Sequence, residues 1–240
     1  MKTKLILSLV LLAFGLRAQT VTTNSYSVSP GAFLPDNNPS GYSKTFSVTL
    51  GSAITDISVA LDITGGFNGD LYAYLAGPTG QMAVLLNRVG VSTTSAYGYS
   101  DTGFNITLAT SGTQGNVHTY QLASPTFISG QLTGTWAADG RNVDPLAAGS
   151  VFSSASPTLG LNNFIGTDPN GVWTFFIADL SPGGQSTIQS VVLSIMTVPE
   201  PQTWVMLGGG LSILWLVRRL NKVFLVKRQV KFLAAKSRAC

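Results

Sequence analysis

His118 is the only histidine in the chain and the side chain best placed by its ordinary pKa to move protons near neutral pH. It stands in Gly115-Asn116-Val117-His118-Thr119-Tyr120. A hydrolytic triad also needs a nucleophile and an orienting carboxylate. No Gly-x-Ser-x-Gly or Gly-Thr-Ser context supplies the nucleophile. His118 is therefore expected as a solvent-facing or strand-edge residue, and no catalytic residue is assigned. Paired carboxylates could hydrolyse glycosides. Nine of the ten acidic residues are Asp, and Asp36, Asp70, Asp101, Asp139, Asp144 and Asp168 fall in turn-like contexts, where Asp usually bonds its own backbone. Calcium takes carboxylate, amide and backbone oxygens. Asp70, Asp101 and Asn105 are the candidate ligands, although no Asp-x-Asp-x-Asp-Gly loop is present. Tyr72, Tyr74, Tyr97, Tyr99 and Trp136 could stack on sugars, as an exopolysaccharide contact would require. The competing expectation is that Tyr72 and Tyr74 cover a sheet face and that Trp173 is core.

These residues must be positioned without covalent staples. Cys240 is the only cysteine, which rules out an intrachain disulfide and a cysteine zinc cluster. The net charge of +4 is uneven. Lys2, Lys4 and Arg17 lie at the start, and eight basic residues lie at or after Arg218. Only Lys44, Arg88 and Arg141 remain between them, against ten acidic residues from Asp36 to Glu200. The central region is acidic, so a basic nucleic-acid footprint is excluded from it.

That central region shows strand periodicity and no sustained helical period. Ile57, Val59, Leu61 and Ile63 alternate with polar or small residues. Leu71, Ala73 and Leu75 do the same, as do Trp173, Phe175 and Ile177, then Val191, Leu193 and Ile195. Gly65-Gly66, Asn68-Gly69-Asp70, Gly77-Pro78-Thr79-Gly80, Pro169-Asn170-Gly171 and Ser181-Pro182-Gly183-Gly184 punctuate them as turns. The pattern predicts an all-β, jelly-roll-like antiparallel sandwich over residues 42–197, after a lead-in at 19–41. Residues from about Gln131 to Gly160 read as a long loop between strands.

The two ends carry targeting patterns. Met1–Ala18 has a charged start, an apolar Leu5–Leu16 core and a small residue before the expected signal cleavage between Ala18 and Gln19. At the other end Val198-Pro199-Glu200-Pro201 precedes the uncharged stretch Thr203–Val217 and then Arg218-Arg219. An apolar segment followed by arginines reads as a membrane helix with a cytoplasmic C-terminus. As a helix it would span ~22 Å, short of a ~30 Å hydrocarbon core. The order of tripeptide, apolar segment with Gly208-Gly209-Gly210, and arginines, at residues 198–219, resembles the PEP-CTERM sorting signal. That resemblance implies processing by an exosortase-type enzyme near Glu200, transient or permanent membrane anchoring, and a surface or extracellular destination in a Gram-negative bacterium. The basic residues 220–240 depart from the family, whose members usually stop soon after the arginines.

A second resemblance covers roughly Tyr42–Ile195. Ile54–Ile63, Asn68-Gly69-Asp70-Leu71, Gly77-Pro78-Thr79-Gly80, Leu85-Leu86, Gly103-Phe104-Asn105, Pro169-Asn170-Gly171-Val172-Trp173, Ala178-Asp179 and Thr187–Ile195 occur in an order that is similar to the P domain (P/Homo B domain) of proprotein convertases. The resemblance implies a jelly-roll-like sandwich that supports a neighbouring subtilisin-like protease and performs no chemistry itself. The expected role is structural or adhesive, in the envelope or an exopolysaccharide matrix. The alternatives are an accessory partner of a subtilisin-like serine endopeptidase and a glycan-binding module.

Overall fold

The chain divides into two units, Thr20–Pro199 on one side and Met1–Gln19 with Glu200–Cys240 on the other. The computed structural model describes residues 20–198, 210–215 and 217–219. The signal segment, the Ala18–Gln19 cleavage point, Pro199, Glu200, Pro201 and residues 220–240 lie outside the described residues.

The larger unit is a two-sheet β-sandwich. Its strands are β1 (Thr22–Val28), β2 (Ala32–Phe33), β3 (Asn38–Val48), β4 (Ile54–Gly65), β5 (Leu71–Ala76), β6 (Met82–Asn87), β7 (Phe104–Ala109), β8 (Phe127–Ile128), β9 (Gln131–Ala137), β10 (Gly171–Asp179) and β11 (Ser186–Thr197). One sheet runs β1-β11-β4-β7-β9-β8, with β2 also on β11, and the other runs β3-β10-β5-β6. The alternation seen in the sequence fixes which side chains face inward. Ile57, Val59, Leu61 and Ile63 of β4 are buried, as are Val191, Leu193 and Ile195 of β11 beside it. Across the core, Leu71, Ala73 and Leu75 of β5 and Trp173, Phe175 and Ile177 of β10 are buried too. Side chains alternate across a strand, so each inner face presents a continuous apolar layer to the other.

Three elements differ from the sequence expectation. The lead-in contributes β1 and β2, both antiparallel to β11. The 131–160 stretch is not all loop: Gln131–Ala137 forms β9, Gly149–Ser154 forms the short helix α1, and Leu161–Phe164 follows as a 3-10 turn. Finally, β9 pairs parallel with β7, so the sandwich is not purely antiparallel. Gly134 hides β9 from a pattern search. It interrupts the alternation with a φ of 108°, and the Gln114 side-chain amide fills the space a Cβ would need. Gln114 Oε1 then accepts from the Thr135 amide at 2.7 Å.

Residues 210–215 and 217–219 of the smaller unit are helical. The Arg219 guanidinium stands 5.1 Å from the Trp215 ring centroid, a cation–π pair. Among the described residues no helix is long and apolar enough to cross a membrane. Most of the 203–217 stretch lies outside them.

Candidate functional site

Two polar centres are buried in the sandwich, and the sequence expectation located neither in full. The first forms around the Asn68-Gly69-Asp70 turn, a 3-10 turn that leads straight into β5. The Asn68 and Gly69 amides donate to the Asp101 and Tyr99 carbonyls, each at 2.9 Å. Gly69 is required there, because a Cβ would collide with the backbone of Tyr97 and Tyr99. Asn68 Nδ2 reaches the Gly103 carbonyl and the Tyr120 hydroxyl, each at 3.2 Å. The turn is thereby pinned, and it carries Asp70 into the interior at 3% exposure.

Asp179, at the end of β10, lies opposite Leu71 in the ladder and is fully buried. Ser181 follows it. Its amide donates to Asp179 Oδ1 at 3.4 Å, and its hydroxyl accepts from Arg88 Nη2 at 2.8 Å. Arg88 Nε donates to the Gly69 carbonyl at 3.2 Å. Arg88 takes a φ of 46°, a left-handed conformation that side chains other than Gly, Asn and Asp seldom adopt. Asp36, on the exposed segment between β2 and β3, accepts from the Gly183 amide at 3.4 Å and is close enough to raise the pKa of both buried aspartates.

Burial is the main cause of the upward shift at Asp70, with the Arg88 charge opposing it. Burial also pushes Asp179 up to about 6, and the Asp70 and Asp36 charges add to it. The sign of the resulting pH dependence follows. A carboxyl with a raised pKa binds more protons folded than unfolded between the two pKa values, so stability falls as pH rises through that window. For Asp179 the window runs from 3.8 to about 6. The chain is expected to be more stable at pH 4.5 than at pH 7.5 by ~2 kcal/mol through this group. Asp70 and Asp36 are the charged groups that act on it, and Arg88 acts on Asp70 beside it. Urea unfolding at both pH values checks this, and Asp179→Asn should flatten the slope.

The second centre holds His118, which is buried rather than solvent-facing. Val117–Ala123 forms a 3-10 segment capped by the Asn116 side chain, and this turns the imidazole into the interior. Nδ1 stands 2.7 Å from Asp139 Oδ2, Nε2 stands 3.1 Å from the Val91 carbonyl, and the ring stacks on Phe152 with 5.9 Å between centroids. Asp139 Oδ1 accepts from Arg141 Nη1 at 3.2 Å. Both ring nitrogens are engaged inside the domain, so neither is open to a substrate.

The calcium candidates separate. Asp70 belongs to the first centre. Asp101 Oδ2 accepts from the Tyr120 hydroxyl at 2.8 Å and Gln121 Nε2 at 2.7 Å. Asn105 is exposed on β7, opposite Asp62. No group of three or more His, Cys, Asp or Glu among the described residues is gathered tightly enough to hold a metal. The aromatic candidates separate as well. Trp136 is fully buried, and Tyr99 packs edge-on against Tyr120 at 4.7 Å. Tyr74 stacks on Phe176 at 5.0 Å, with Tyr72 beside it at 6.1 Å, and Tyr97 stands 75% exposed. Sequence reasoning missed Asp36, Arg88, Asp179 and Ser181 as members of one centre. The Ala178-Asp179 and Asn68-Gly69-Asp70 landmarks were the available signal.

The fold is thus that of a β-sandwich with an acid-rich buried centre. No protein-family model matches the chain, and no curated protein matches it. Among solved structures it is similar to the Aeromonas sobria serine protease in complex with its chaperone, with a TM-score of 0.41, 14% identity, and coverage of 80% of this chain and 29% of that one. The Aeromonas sobria serine protease solved as such gives a TM-score of 0.39 and 13% identity, covering 79% of this chain and 29% of that one. The chain therefore spans less than a third of the length of the protease chains it matches.

Proposed function

We propose that this chain is an exported, non-catalytic protein of the P-domain type, with a jelly-roll-like sandwich, sorted through the envelope by an exosortase-type enzyme. It acts by structural or adhesive contact at the cell surface or in the exopolysaccharide matrix. The observation that carries the non-catalytic part is the use of His118. Its two ring nitrogens are spent on Asp139 and Val91, so the side chain best suited to general-base work holds the fold together. The order of landmarks from Ile54 to Ile195 supports the P-domain reading, and Val198–Pro201 followed by Arg218-Arg219 supports the sorting route.

Mass spectrometry of the protein recovered from culture medium and envelope tests the route. A mature N-terminus at Gln19 and a C-terminus near Glu200 are expected. An intact Cys240 in the membrane fraction as the sole species would overturn sorting. Peptidase activity of the purified chain that disappears in His118→Ala but survives in an unrelated surface variant would overturn the non-catalytic reading.

A further inference from the structure

Four strands end the two sheets, β1 and β8 in one and β3 and β6 in the other. An open edge presents unpaired N–H and C=O groups that template a further strand, and folded proteins blunt such edges by short length, charge, proline, bulges or cover. Three of the four are blunted in these ways. Strand β8 is two residues long. Strand β3 carries Pro39 and Lys44, and its register with β10 shifts between Ile177 and Asp179. Strand β6 is covered by backbone: the Leu85 and Val84 carbonyls accept from the Asp139 and Gly140 amides, and the Val84 amide donates to the Leu159 carbonyl. Strand β1 has none of these devices. Its seven residues, Thr22–Val28, include no charge, proline or glycine, and they pair with β11 without a register shift. Among the described residues no backbone group pairs with its outer edge. In an antiparallel ladder alternate residues turn both backbone groups away from the partner, so roughly half of the seven hold them open.

We infer that β1 is a self-association edge, pairing antiparallel with β1 of a second copy about a two-fold axis at Ser25. The strand is its own complement. In the register that uses all seven residues, Asn24 meets Tyr26, Thr22 meets Val28, Thr23 meets Ser27 and Ser25 meets itself. That register keeps the faces in order. Asn24, Tyr26 and Val28 lie opposite Ile195, Leu193 and Val191 of β11, which are core, and Tyr26 and Val28 are only partly buried where the apolar layer ends. The two Tyr26 rings become diagonal neighbours across the axis, a spacing that aromatic side chains bridge, so the layer continues from one copy into the next. On the other face Thr23, Ser25 and Ser27 are exposed and bring only hydroxyls, so no like charges meet. An isologous contact closes at two copies, which uses up the open edge and prevents growth into a fibre. The inference goes beyond the proposed export and surface role and does not depend on the P-domain reading.

The full chain, purified in detergent, should sediment as a monomer–dimer equilibrium whose dimer fraction rises with concentration. Ser25→Lys sets two like charges opposite each other at an exposed position, and should weaken dimerisation about tenfold or more while leaving the urea midpoint of the monomer nearly unchanged. In a Cys240→Ser background, Ser25→Cys should link two copies under mild oxidation, because the axis sets that position against itself. Thr45→Cys, exposed on the blunted edge strand β3, should not. Hydrogen exchange should slow at alternate β1 amides as the dimer forms. A wild-type chain that stays monomeric at every concentration would overturn the inference, including the case in which a different protein's strand takes the edge. So would a dimer that Ser25→Lys leaves intact, or equal cross-linking in Ser25→Cys and Thr45→Cys.

Discussion

Asp139→Ala is expected to lower the unfolding free energy by about 3–5 kcal/mol, the range for breaking a buried charged network from one side. Asp139 is fully buried and serves four donors. Oδ2 faces His118 Nδ1 at 2.7 Å and accepts from the Asn87 amide at 3.2 Å, while Oδ1 accepts from the Arg141 amide at 3.3 Å and Arg141 Nη1 at 3.2 Å. The backbone is tied in too, since the Asp139 and Gly140 amides donate to the Leu85 and Val84 carbonyls. Truncation would leave the imidazole Nδ1 and two amides without their acceptor and take the carboxylate from Arg141, whose Nη1 keeps only Asn116 Oδ1, and a buried donor left unpaired costs more than the bond it once made contributed. Urea unfolding followed by tryptophan fluorescence measures the loss. Asp139→Asn keeps the shape and some acceptor capacity, so it should fall between wild type and Ala. A loss below 1 kcal/mol for Asp139→Ala would contradict the role given to this residue.

A loss of similar size, ~3–5 kcal/mol, is expected for Trp136→Ala, the usual cost of emptying a buried aromatic site. Trp136 projects from β9 into the core, where it meets the Tyr120 ring edge-on with centroids 6.2 Å apart. Its indole nitrogen donates to the Thr133 carbonyl at 3.0 Å, so the polar end is satisfied as well. The position also seats the parallel β7–β9 pair, because Trp136 stands opposite Leu108. Trp136→Phe should recover most of the stability, losing the indole hydrogen bond but filling much of the space. A sugar-stacking role predicts the reverse: Trp136→Ala with unchanged urea midpoint and lost polysaccharide retention. That outcome would refute the packing assignment.

The half-buried aromatic set on the second sheet points the same way. Tyr74 and Phe176 spend ring faces on each other, with an interplanar angle of 23°. Tyr74 and Phe176 are direct neighbours across the β5–β10 ladder, where cross-strand aromatic pairs stabilise a sheet. Their alternation with core residues was readable in the sequence, while their mutual stacking was not.

The acidic centre has a consequence for stability as well, because through Asp179 it favours acidic pH.

The sequence by itself determined the strands whose two faces meet different surroundings. Strands β4, β5, β10 and β11 announce themselves because period-two alternation is local, and the glycine and asparagine turns between them supply backbone angles that few other residues adopt. It also determined that the basic residues gather at the two ends and that no disulfide can hold the domain. Tertiary structure decided the rest. Strand β9 was masked because Gly134 breaks its alternation and the strand exists through its parallel partner β7, which local pattern does not encode. His118 was expected in solvent because nothing adjacent in sequence shows that Asp139, Val91 and Phe152 converge on it. Nor does any spacing reveal Asp36, Asp70 and Asp179 in one centre, since three separate segments of chain must fold together first. The physical reason is common to all three: alternation records which face of a strand is dry, but burial of a charge and its partner are properties of the chain's distant contacts.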